Sequence, residues 1–352
     1  MSPKKKTTTA RRPRARAADW TQLGDEALLD MRLCDLGLRL EGSLIEPRIE
    51  RLGEELERRG LRFRPHFWIS TDWFSPDGVP GVAVPFYVVN PRLKQLEKRQ
   101  MYDVEGGTEE WCMQLLRHET AHALDTALGL HRRKDWRETF GPWGQSYTAY
   151  YQPKPYSKRF VLHLDYWYAQ SHPAEDWAET FAVWLRPGSQ WRKRYAGWPA
   201  LRKLEYVERL MAEVGRQPAK VKSRERTDAV GSLRTTLREY YAEKRERYGT
   251  DSPDFYDRDL RKLFVPRAEA PGALRAQRFL ARARPEIRRQ VARWTGEYQY
   301  TIDQVLEEMI ERTRELDLAL ATDEPQALLD ATILVAVQTM NHLHSGYHRL
   351  AR

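Results

Sequence analysis

His118-Glu119-Thr120-Ala121-His122 lies inside a stretch with helix signals at both ends, and it constrains the fold more than any other feature of the chain. Thr108 can cap the start, Glu109 and Glu110 suit the positive N-terminal end, and Gly129 can close the far end. The pattern predicts a helix over 108–128. Positions i and i+4 are just over one helical turn apart, so His118 and His122 share a face and can meet one zinc ion. Glu119 lies beside them and can reach a water on such an ion. Zinc held by two imidazoles needs a third protein ligand and an open fourth position. The fold must therefore bring a later segment against this helix.

A third His six residues after His122, with a Gly three residues after it, is excluded, because those positions are Leu128 and Asp125. His131 lies beyond Gly129 and fits no ligand pattern. A gluzincin layout instead asks for a Glu on a later helix, and Glu175-Asp176-Trp177-Ala178-Glu179 supplies one. Pro173 suits a first turn and Pro187-Gly188 a stop, which predicts a helix over 173–186. Glu175 and Glu179 share a face. One carboxylate can bind zinc, while the other fixes the tautomer of a ligand histidine. Trp177, Phe181 and Trp184 place this helix in a core, where bare acids would be costly. His163 and His172 stand as alternative third ligands, the pattern of DNA-associated repair proteases.

The pair HETAH (118–122) and HPAEDWAETFA (172–182) resembles the bacterial family described as putative zinc-binding metallopeptidases, a gluzincin group. The stretches DWFSPDGVPGVAVPF (72–86) and LRTTLREYYAEKRERYG (233–249) are similar too, so the resemblance covers about residues 25–250. Members often carry an N-terminal zinc ribbon. Cys34 and Cys112, the only cysteines, cannot build one. The site also resembles the catalytic domain of lethal-factor-type metalloproteases. That likeness implies His118, His122 and Glu175 as ligands of one Zn2+ per chain, with Glu179 supporting a ligand histidine. It also implies Tyr168, seven residues before Glu175, as a donor to the oxyanion, with Tyr166 as the alternative. The expected activity is zinc-dependent metalloendopeptidase, a zinc-activated water attacking a peptide bond with Glu119 as general base. The competing readings are a catalytically silent peptidase-like scaffold and a DNA-associated protein-binding module.

The expected fold is α+β: a gluzincin-like metallopeptidase domain over 21–250 with a small mixed sheet and active-site helices, then a helical accessory domain over 251–352. His66–Ser70 and residues 82–89 read as strands, the second an edge because Pro85 removes a ladder donor, and so a place where an extended peptide could pair. Residues 25–60 read as two helices parted at Pro47, and 130–170 as loop. Helices are expected over 200–214, 231–248, 273–295, 301–321 and 325–350, with Thr301-Ile302-Asp303-Gln304 as a capping box. Charge is uneven. Residues 1–17 carry seven basic side chains and no acid, residues 220–300 a net +8, and residues 301–352 a net −5. The tail over 1–20 is expected to be disordered and to touch polyanions only weakly. His344 and His348, with His342, offer an alternative second metal site. No stretch approaches a membrane span, and no apolar segment follows the basic N-terminus. A cytoplasmic protein acting on protein or peptide substrates is expected.

Overall fold

The computed structural model describes residues 20–147, 154, 157–248 and 256–342. The basic tail before Trp20 and the side chains of Tyr166, His342, His344 and His348 lie outside the described residues. Trp20 itself belongs to the core: it is buried, and its indole donates to the Leu36 carbonyl at 2.9 Å.

The architecture is α+β. Helix α1 (Asp25–Leu29) leads to α2 (Glu46–Arg58), where Pro47 occupies the first turn rather than an interior position. Strands β1 (His66–Ser70) and β2 (Gly81–Pro85) pair in parallel, in register from His66 opposite Gly81 to Ser70 opposite Pro85. The loop between them runs back beside β2 and forms an antiparallel bridge from Phe74 to Ala83, which makes this small sheet mixed. Helix α3 (Pro91–Met101) follows, its Arg92 N–H held by the Asn90 side chain, and then α4 (Glu109–Leu128). Helix α5 (Lys134–Phe140), α6 (Pro173–Leu185), α7 (Trp191–Arg194), α8 (Ala200–Val214) and α9 (Leu237–Tyr248) complete the first core.

The caps of α4 are those its sequence requires. The Thr108 hydroxyl accepts from the Trp111 N–H at 3.2 Å, and Gly129 closes the helix with φ 65°, a left-handed conformation that suits glycine. Every residue of α6 is buried. A helix buried on all sides belongs at the centre of a core, and α6 packs along α4 with Trp177 donating to the Ala121 carbonyl at 3.0 Å. β2 packs against the same α4.

Beyond α9 come α10 (Asp257–Leu263), β3 (Phe264–Pro266), α11 (Ala276–Thr295), α12 (Gln299–Glu315), β4 (Leu318–Leu320) and α13 (Glu324–His342). Tyr256, Leu260, Phe279, Ile287, Leu306 and Val335 belong to a buried cluster separate from the one around α4 and α6. Tyr102 joins the two parts: it stacks on Tyr300 and lies under the Arg288 guanidinium at 4.0 Å. Among the described residues no helix is long and apolar enough to cross a membrane.

Several expectations are corrected. The strand expected over 82–89 ends at Pro85, and residues 86–88 coil into a 3-10 turn. It is not a bare edge: β1 lies on one side, the Phe74 carbonyl accepts from the Ala83 N–H at 2.8 Å, and Val82, Ala83 and Val84 are fully buried. β2 is an end strand of its two-stranded sheet, as expected, but its outer side is covered at Ala83, which works against pairing with a peptide there. The stretch 130–170 holds α5. Thr301 lies inside α12, which starts at Gln299, so its capping box is not used. Residues 318–320 form β4, antiparallel to β3, in place of the end of a helix.

Candidate metal centre

α4 and α6 cross so that three donor atoms converge. His118 Nε2 lies 3.1 Å from His122 Nε2 and 3.0 Å from Glu175 Oε2, and His122 Nε2 lies 3.2 Å from the same Glu175 oxygen. All three residues sit in a wall of packed side chains, His118 and Glu175 buried and His122 partly so. A tetrahedral ion with bonds of about 2.1 Å holds its donors about 3.4 Å apart, so this triangle is close to the size zinc requires. Two imidazole nitrogens and a carboxylate oxygen aimed at one point are lone pairs that repel unless positive charge joins them. His118, His122 and Glu175 are therefore a donor set that could hold a metal ion.

The charges around these donors balance one another. Burial alone would lower the His118 imidazole, but hydrogen bonds to Glu175 and Glu179 outweigh it and raise His118 well above its ordinary range. His122 is raised too, because Glu175 overcomes its burial. Glu175 is held well below the usual carboxylate range despite its burial, by His122 and His118. The field favours positive charge where the donors meet.

Outer contacts fix these groups. Glu179, fully buried, faces His118 Nδ1 with Oε1 at 2.9 Å, and its Oε2 accepts from the Leu164 N–H at 2.8 Å. With Nδ1–H turned to a carboxylate, the neutral form of His118 would offer Nε2 as the lone pair for a metal ion. Glu119 is buried beside the histidines. Burial raises its carboxyl above the ordinary range, His118 and His122 oppose that, and Glu175 and Asp72 add to it. The Tyr168 ring lies 5.7 Å from the His118 ring.

Residues 112–190 match the model of the family described as putative zinc-binding metallo-peptidase. The matched segment holds both motifs, from HETAH to Glu179, and is narrower than the 25–250 span of the resemblance. Comparison with the curated proteins and with the solved structures gives no match.

The alternative ligands are engaged elsewhere. His172 caps α6: its Nδ1 accepts from the Ala174 N–H at 3.1 Å, which leaves Nε2 to donate to the Gln145 carbonyl at 2.8 Å. His163 Nε2 lies 3.1 Å from the Gln114 carbonyl, and burial lowers its pKa. His131 stands against Asp125 at 2.6 Å and stacks on Trp143. Two further groups at the site have no signature in the sequence that assigns them a role. Asp176, inside the EDWAE motif, is buried and bonded to the Lys203 ammonium; burial pushes its carboxyl up to about 7, with Lys203 opposing. Tyr147 donates its phenol proton to Glu175 Oε1 at 2.7 Å. No local pattern marks Tyr147, because it reaches α6 from a loop.

Proposed function

We propose that this chain is a zinc-dependent metalloendopeptidase holding one Zn2+ through His118 Nε2, His122 Nε2 and Glu175 Oε2. The observation that carries the reading is the convergence of these three atoms within 3.0–3.2 Å. When bound, zinc supplies Lewis acidity that eases deprotonation of water and polarises a carbonyl. Glu119 accepts the proton of the attacking water on its carboxylate and delivers it to the leaving amine. A carboxyl raised by burial is suited to passing a proton in both directions. Tyr168, beside His118, donates its phenol proton to the oxygen that becomes negative. Glu179 keeps His118 in one tautomer and ring orientation. The peptidase unit is residues 21–250. The separate buried cluster beyond Tyr256 supports residues 251–352 as a helical accessory unit.

Elemental analysis tests the ligand set. Wild type is expected to purify with about one zinc per chain, and His122→Ala and Glu175→Ala to lose it, since zinc needs three protein donors to stay in such a site. A wild type that neither carries zinc nor takes it up would defeat the reading. Glu179→Gln tests the orienting role. It is expected to bind zinc about 10- to 100-fold more weakly while remaining folded, as loss of a carboxylate partner commonly does. An unchanged affinity in a zinc titration against a competing chelator would remove Glu179 from the machinery.

A further inference from the structure

We infer that Tyr147 is a positioning residue for the metal centre, holding Glu175 as a ligand through one oxygen only. The inference rests on the zinc reading above and adds a residue to it.

The two oxygens of Glu175 have different neighbours. Oε2 faces His118 and His122. Oε1 accepts the phenol proton of Tyr147 at 2.7 Å. A free carboxylate beside a divalent ion can close onto it with both oxygens. One oxygen already engaged by a short hydrogen bond resists that rotation, and the fourth position stays open for water or substrate.

The placement of Tyr147 is built from several contacts. Its ring stacks on His172 at 3.9 Å between centroids and 14° between planes. His172 is itself fixed, as the cap of α6 through Nδ1 and through Nε2 on the Gln145 carbonyl, two residues before Tyr147. Trp143, in the same loop, stacks on His131 at 4.4 Å. The His that stood as an alternative ligand thus supports the ligand's partner. Glu179 likewise faces a second ligand, His118, through Nδ1.

The test uses Co2+ as a visible probe in place of zinc, with wild type and Tyr147→Phe. The phenylalanine ring can still stack on His172, so only the O–H is lost. Wild type is expected to show the intense visible absorption of four-coordinate Co2+. Tyr147→Phe is expected to show a weaker band, from a five-coordinate ion with a bidentate Glu175, and metal affinity lower by about tenfold. A band of the same shape and intensity with unchanged affinity overturns the inference while leaving the zinc reading standing. A wild type that binds neither Co2+ nor Zn2+ overturns both. X-ray absorption at the zinc edge of the wild-type protein gives an answer without any variant. Four light-atom neighbours support one-oxygen ligation, and a higher number overturns it.

Discussion

Glu119→Gln is expected to keep its zinc and lose peptidase activity by at least about a hundredfold, the usual contribution of a positioned general base. The amide is nearly isosteric and cannot accept a proton from water. The three donor atoms at 3.0–3.2 Å belong to other residues, so the metal content should not change. The informative readout is the pairing of the two measurements, zinc per chain and kcat on a peptide library. Loss of both would place Glu119 in the structural support of the site. Retention of both would assign the proton transfer to another group or show the observed proteolysis to come from elsewhere. Because Gln also removes a buried carboxyl whose charge burial disfavours, the variant should be no less stable than wild type.

How much of this was legible in the sequence depends on the range of the interaction. α4 was legible because its caps are local: Thr108 and Gly129 lie next to the helix they end. The shared faces of His118 with His122 and of Glu175 with Glu179 follow from helical spacing alone. That the two faces meet is what the gluzincin resemblance implies, supported by the cost of burying bare acids, and the structure brings them together. Tyr147 was not legible, because its bond to Glu175 bridges 28 residues through a loop with no periodicity. His172 is legible in the sequence as an imidazole near the site, where it offers itself first as a ligand. Its place before Pro173 is an N-cap position, and an unprotonated ring nitrogen can accept there as a serine oxygen does. β3 and β4, three residues each, are too short for alternation to show. β2 is shorter than its β-branched run suggests, because Pro85, still paired with Ser70, has no N–H with which to carry the ladder onward.

Arg117→Met is expected to destabilise the fold by about 3 kcal/mol or more, the typical cost of leaving a buried charge without its partner. Arg117 Nε and Nη2 donate to the two oxygens of Glu55 at 2.7 and 2.8 Å, and the side chains are 4% and 0% exposed. The pair ties α2 to α4 one residue before His118, so the helix that carries the site is anchored through it. Arg51 also approaches Glu55 Oε1, at 3.5 Å, but from a side chain 46% exposed, and it cannot replace a two-pronged buried partner. Urea unfolding of wild type, Arg117→Met and the double variant Arg117→Met/Glu55→Met measures the effect. The double variant should recover most of the loss, because two apolar side chains of similar bulk remove the unpaired charge as well as the pair. A single variant within about 0.5 kcal/mol of wild type, the range of ordinary surface changes, would mean that water reaches Glu55 and that the pair is not buried in solution. A double variant as unstable as the single one would assign the loss to packing around α2 and α4 rather than to charge.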